Sequence, residues 1–404
     1  MRTRSGVWYQ PAGEINGRKR RRRGEEGGEA RRRKLSAVGD LFDALPDDLV
    51  LSILCKLSAS ATRPFHLSSI LLTCKRFNEL GLHPLVLSKA SAKSLAVRAM
   101  NWSESAHRFL NRCADAGNLE ACYILGMILF YCLENRASGA ALMARAAMGC
   151  HAAALYSLAV IQFNGSGGSK DDKDLRGGAA LCARSAALGH VDALRELGHC
   201  LQDGYGVRRS VAAGRRLLLQ ANARELAAAG GGEPAARHDR RHLLSDFGCH
   251  VATVEGHAAN RFMAEWFAGK EEDAEGEGDG RRLCSHVGCG RRETRRHEFR
   301  RCSVCGIVNY CSRACQAMHW KMVHKAECAP MERWIEPAVV VGGAPHHPDG
   351  HVEVGDLVPL TVCLYSIRKL CSFVVHNTTR YTHSGGNTRT IRIKTDSNLK
   401  LEQH

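Results

Sequence analysis

Eight residues in the last third of the chain restrict its folding more than any other feature. They are Cys284, Cys289, Cys302, Cys305, Cys311, Cys315, His324 and Cys328. They fall into four tight pairs, C-x4-C, C-x2-C, C-x3-C and H-x3-C. Each pair can chelate one face of a tetrahedral ion, so four pairs make two closed four-ligand sites. Closed sites of this composition hold structural zinc, and with no open position for water they perform no chemistry. The competing reading, buried or disulfide-bonded cysteines, suits a secreted chain; no apolar leader core is visible here, and tight cysteine pairs without one read as metal sites.

The spacing, with Tyr310-Cys311-Ser312 and His319-Trp320 beside it, resembles the MYND-type zinc finger. That resemblance implies interleaved sites, Cys284, Cys289, Cys311 and Cys315 on one ion and Cys302, Cys305, His324 and Cys328 on the other. The first pair is wider than the C-x2-C common in the family. His319 is not expected as a ligand. MYND fingers bind short Pro- and Leu-containing peptides, and the groove positions match Ser303, Gln316 and Trp320. Gln316 and Trp320 are four apart and share a helix face. The finger is expected to lose its fold on chelation while helices elsewhere persist, because metal binding and folding are one equilibrium in such modules.

The 404 residues leave room for two or three domains, and no apolar stretch is long enough to span a bilayer. A reducing compartment follows, with localisation in the nucleus and/or cytoplasm. The 11 cysteines outside the finger are expected as small core residues. The net charge of +16 is concentrated in two places. Residues 1–34 carry 12 basic and 4 acidic side chains, and residues 281–330 carry 11 and 3, so each segment has +8. Seven zinc-bound thiolates and two divalent ions would lower the second figure to about +5. Nucleic acid is therefore not expected as a partner.

The first 38 residues are rich in Gly, Arg and Glu and are expected to be disordered. Their basic runs at 18–23 and 31–34 have the form of a nuclear import signal. A module at residues 40–87 follows. Pro46 suits a first helical position, and Asp47 and Asp48 complement a helix start. Leu45, Leu49, Ile53 and Leu57 recur every four residues, with Val50 and Leu54 beside them, as one apolar stripe. Leu67, Ile70, Leu71, Cys74 and Phe77 continue at helical spacing. L-P-D-D-L, then I-L, L and C-K-R-F, resembles an F-box, a three-helix module that docks the Skp-family adaptor of a cullin–RING ubiquitin ligase. The matching contact positions are Leu45, Pro46, Leu49, Ile53 and Leu54. Two departures stand out: residues 58–64 lengthen the common pattern by about five, and Phe77 stands where Trp is usual.

Residues 100–228 are Ala-rich and self-similar. Gly117, Gly149 and Gly189 recur in like contexts, the middle copy slipped by one residue and the second interval stretched by a polar insert. That period, with small residues for helix crossings, reads as an α-solenoid and resembles Sel-like repeats, relatives of the tetratricopeptide class. The Gly-rich stretch at 165–170 lacks the ending of a phosphate loop. Residues 229–283 read as a linker with one amphipathic helix around 260–267, packed on the repeats or the finger. Residues 329–404 read as a disordered tail, its one β-prone run at 361–375 standing alone.

The expected fold is thus mainly α: F-box helices, a Sel-like solenoid, a zinc-stabilised MYND finger at 284–328, and disordered tails at both ends. The order of parts resembles a plant group of F-box proteins with a C-terminal MYND finger. It implies a non-catalytic substrate receptor that docks a Skp-family adaptor and holds an unidentified protein substrate, with a Pro/Leu-containing peptide as a further partner of the finger. The alternative is a nuclear scaffold or transcriptional cofactor using the finger without a ligase. A MYND-linked methyltransferase lacks its cofactor motifs here, and no Ser/His/Asp or Cys/His set marks a nucleophile site.

Overall fold

A computed structural model of the chain describes residues 42, 44–229, 244–245, 256–271 and 279–330. The basic runs, the tail from 331 and the β-prone run at 361–375 lie outside the described residues. The chain divides into two units, Met1–Val50 and Leu51–His404.

The Leu45 N–H donates to the Phe42 carbonyl at 3.2 Å, and the Val50 N–H donates to Pro46 at 3.1 Å, closing the first turn of helix α1, Asp47–Ser60, which begins in the first unit and continues into the second. Asp47 and Asp48 occupy that first turn. Exposure divides the expected single stripe into two rows. Val50 and Leu54 are buried, whereas Leu49, Ile53 and Leu57 are 49%, 38% and 45% exposed.

In the second unit, α2 (Pro64–Leu71) and α3 (Lys75–Gly81) are separate helices. The expected continuous helical spacing breaks at Leu72 and Thr73, because Cys74 is not a face residue but the cap of α3. Its sulfur accepts the Phe77 N–H at 3.4 Å, while the Asn78 amide donates to the Leu71 carbonyl at 2.8 Å. After α4 (Pro84–Ser88), the Asn118 side-chain amide donates to the carbonyls of Leu87, Ser88 and Ala90, fastening this module to the repeats.

The repeats are the helices α5 (Glu104–Asp115), α6 (Leu119–Met127), α7 (Arg136–Met148), α8 (Ala152–Asn164), α9 (Leu175–Ala187), α10 (Val191–Asp203) and α11 (Val211–Ala229), each packed on the next. The devices that define one repeat return in the next. Gly117 and Gly189 turn at φ +88° and +87° ahead of α6 and α10; the corresponding position before α8 is Cys150, at φ 61°. This is the one-residue slip seen in the sequence, since Gly149 keeps an ordinary φ of −77°. Asn118, His151 and His190 then cap the three helices by accepting the N–H of Ala121, Ala154 and Ala193. The tight crossings recur as well. A Cβ on Gly139 would lie 2.7 Å from the Gly126 carbonyl, one on Gly178 3.2 Å from the Ala159 carbonyl, and one on Gly214 2.6 Å from the Gly198 carbonyl. Small residues at these points let helix axes approach, and the Ala/Leu/Cys core fills behind them. Cys113, Cys122, Cys132, Cys182 and Cys200 are core residues as expected, but Cys74 and Cys150 are exposed because both serve turns.

Helix α12, Ala258–Glu271, is the expected amphipathic segment, and it packs on both candidate neighbours. Phe262 meets Trp102 edge to face, with centroids 5.3 Å apart, and Glu265 accepts from Arg98 Nε and the Ala99 N–H. On the finger side, Gly290 approaches so closely that a Cβ there would sit 2.5 Å from the Ala264 nitrogen. His151 and His257 both reach the buried carboxylate of Glu120, at 3.0 and 2.8 Å. Burial alone would raise the pKa of Glu120, but the hydrogen bonds from these two histidines hold it down at about 2. No helix among the described residues is long and apolar enough to cross a membrane.

Candidate metal centre and its seat on the repeats

Short backbone ladders place the ligands. The Cys284 N–H donates to the Arg291 carbonyl and the Cys302 N–H to the Val308 carbonyl, folding each early pair into a tight loop. Strands β1 (Arg300–Arg301) and β2 (Asn309–Tyr310) pair antiparallel, and Cys311 follows directly. Ser312 caps helix α13, Arg313–His319, by accepting the Cys315 N–H at 3.1 Å, so Cys311 and Cys315 meet at the helix start. A π-helical turn, Trp320–His324, then carries His324 toward the second group.

The structure gathers Cys284, Cys289, Cys311 and Cys315 in one buried group, and Cys302, Cys305, His324 and Cys328 in another. Within each, all ligand atoms lie within 4.8 Å of one another. A tetrahedral zinc with Zn–S near 2.3 Å separates its sulfurs by about 3.8 Å, and a sulfur from an imidazole nitrogen by about 3.6 Å. The observed Sγ–Sγ separations are 3.6 Å for Cys289–Cys311, 3.6 Å for Cys311–Cys315 and 3.9 Å for Cys302–Cys328; Cys305 Sγ to His324 Nε2 is 3.5 Å. Disulfides would need about 2.05 Å. The interleaved ligand sets match two structural zinc ions, including the wide Cys284/Cys289 pair. His319 stays outside both: its Nδ1 lies 2.9 Å from the Tyr310 hydroxyl and its ring stacks on His324.

Four thiolates around one divalent ion leave a charge of −2, and the fold places a cation against it. Arg291, 3% exposed, points one guanidinium nitrogen at Cys289 Sγ (3.5 Å) and donates another to Ser157 Oγ on α8 (2.8 Å), which also meets the Tyr123 hydroxyl. Burial disfavours the guanidinium charge, yet the Cys289 and Cys311 thiolates outweigh it and hold the pKa well above the ordinary arginine value.

The finger is therefore no separate bead. Tyr156 donates to Ser312 Oγ, the Asn164 amide to the Cys311 carbonyl, and the Ala314 N–H to Glu196 on α10. Burial raises the Glu196 pKa. The polar insert between α8 and α9 is the finger's seat: Arg295 donates to the carbonyls of Asn164 and Gly165, the Gly167 N–H donates to Thr294 Oγ1, and Ser166 meets Glu298. Lys321 pairs with Glu225, which also holds fully buried Arg195. One buried core runs without a break from the repeats into the finger, so metal loss is expected to reach the helices of the repeats as well.

The basic excess of the finger is also largely internal. Arg281 pairs with Glu134, Arg282 with Glu293, Arg292 with Asp279, and Arg313 with Asp203. Sequence reasoning missed Arg291, Glu196 and Glu225 as supports of the metal centre. The available signal was arginine density beside zinc ligands, which reads equally well as a solvated face.

Of the other anticipated site residues, Ser303 is exposed, and Gln316 and Trp320 are half-buried one turn apart, the Trp320 N–H bonding the Gln316 carbonyl. Ahead of α1, Leu45 is half-buried and Pro46 exposed; on α1, Leu49 and Ile53 are exposed and Leu54 is buried at 3%.

Two profiles match the chain: "Plant tetratrico peptide repeats" at residues 93–197 and "MYND finger" at 284–328. One Arabidopsis thaliana F-box protein is 63% identical over 315 residues, covering 74% of this chain and 83% of its own length. The chain belongs to this family of plant F-box proteins. A second Arabidopsis thaliana F-box protein is 59% identical over 308 residues, covering 76% of this chain and 90% of its own. A Sel1 repeat protein from Oxalobacter formigenes aligns at 14% identity with a TM-score of 0.32, over 54% of this chain and 84% of that one.

Proposed function

We propose that this F-box protein is the non-catalytic substrate receptor of a cullin–RING ubiquitin ligase. The observation that carries the reading is the row Leu49, Ile53 and Leu57, three large apolar side chains left 38–49% exposed on a helix whose other apolar row is buried. Apolar side chains held open on one helix face suit a Skp-family adaptor, where a few anchors dominate binding. The repeats and the finger, fused through one core, would present the protein to be ubiquitinated. Both zinc sites are closed, so the metal supports shape rather than reaction.

Leu49→Ala with Ile53→Ala is expected to weaken adaptor capture by about thirtyfold or more, one hot-spot loss of ~2 kcal/mol being that large. Zinc content should stay the same. An intact chain that captures no Skp-family adaptor would favour the nuclear scaffold or transcriptional cofactor instead. We place the protein in the nucleus and/or cytoplasm on the strength of its two basic runs.

The finger's peptide role is part of the same proposal. Gln316 and Trp320 are partly open, and Ser303 and Val304, between the ligands Cys302 and Cys305, are exposed. Trp320 offers an apolar plate for a proline ring and Gln316 an amide for a free peptide backbone. Gln316→Ala should weaken binding of a Pro-Leu peptide library to the full chain about fivefold in fluorescence polarisation, as expected for one lost hydrogen bond of ~1 kcal/mol. Equal affinity in the two proteins would remove the finger from peptide recognition.

A further inference from the structure

The seam between the F-box helices and the first repeat holds an open cavity of about 970 Å³. Its lining includes Arg63, Lys93, Arg98 and Arg261 and contains no acidic side chain. Arg98 is committed to Glu265. Arg63 and Lys93 are exposed and make no ion pair among the described residues. The same lining holds apolar side chains, Phe65, 70% exposed, and Val97. Arg63 and Lys93 thus offer unneutralised positive charge in the same lining as an exposed aromatic ring, which is complementary to an acidic segment carrying an apolar side chain. The lengthened segment at 58–64, the departure from the common F-box pattern, supplies Arg63 and Pro64 to this wall.

We propose that this groove binds an acidic peptide segment of a protein partner, with an apolar residue set among its carboxylates. The cations would meet the carboxylates and Phe65 the apolar side chain. The volume suits a short segment, being at the upper end of ordinary ligand pockets. A single-stranded nucleic acid fits less well, since successive bases require a series of aromatic platforms and the lining has one aromatic side chain. Naming that partner as the ubiquitination substrate rests on the receptor reading above; the binding of an acidic segment in this basic groove does not.

The probe is a fluorescein-labelled peptide of sequence EEDLEDE, titrated with the full-length, zinc-loaded chain at 50 and 500 mM salt. Saturable binding that weakens at high salt is expected, because separated surface charges are screened beyond about one Debye length. Arg63→Glu with Lys93→Glu should weaken it at least tenfold, with two zinc ions and adaptor capture retained. If that variant fails to fold, Arg63→Gln with Lys93→Gln should still show a clear loss. Phe65→Ser should abolish the preference for EEDLEDE over EEDSEDE. The proposal is overturned if the intact chain does not bind the peptide, if the charge-reversed chain binds it equally, or if an oligothymidine of equal charge binds more tightly. It is also overturned if the charge reversal removes adaptor capture and leaves peptide binding unchanged, since the groove would then be adaptor surface. An intact chain that binds the peptide but no adaptor sinks the ligase reading alone.

Discussion

Cys311→Ser is expected to release one zinc ion of the two and to destabilise the repeats as well as the finger. Native mass spectrometry should show one ion per chain, and Cys305→Ser should lose the other. The wider effect follows from where Cys311 sits: its carbonyl accepts the Asn164 amide of α8, and its sulfur belongs to the group facing buried Arg291. Without the thiolates, the guanidinium remains in the core with its main counter-charge gone. Breaking a buried ion pair from one side costs about 3–5 kcal/mol. At roughly 2–4 °C per kcal/mol for a domain of this size, the melting midpoint of the helical circular dichroism signal should fall by about 10 °C. Chelation of the wild type should lower it at least as far. A helical midpoint unmoved by either treatment would show that the finger only rests on the solenoid.

Arg291→Met tests the same junction from the other partner. It leaves all eight ligands in place and removes the cation beside the −2 site. Groups that orient or balance metal ligands typically account for 10- to 100-fold in metal affinity. Zinc in the Cys284, Cys289, Cys311 and Cys315 group should therefore pass to a competing chelating dye at 10- to 100-fold lower dye concentration. The Cys302, Cys305, His324 and Cys328 group, which Arg291 does not touch, should be unchanged. Arg291→Lys should recover only part of the loss, because a point charge cannot serve Cys289 and Ser157 together as a forked guanidinium does. Identical release of both ions in all three proteins would assign Arg291 to packing alone.

The sequence by itself determined the metal chemistry and the helical plan. Ligand pairs are local, and two to four intervening residues dictate a chelating loop wherever it is placed. Repeat caps and crossing glycines are local too, so the slipped middle copy was legible before Cys150 was seen to take the left-handed turn. Tertiary structure decided how the parts join. Nothing near Gly165 says that its carbonyl accepts from Arg295, 130 residues on, and nothing near Arg291 distinguishes a core cation from its solvated neighbours. The apolar stripe of α1 likewise gives no sign of which row is buried; Val50 and Leu54 are buried and Leu49 is not. Contacts that close over long separations are fixed by the burial of a common core, and the pattern of one segment carries no record of its distant partner.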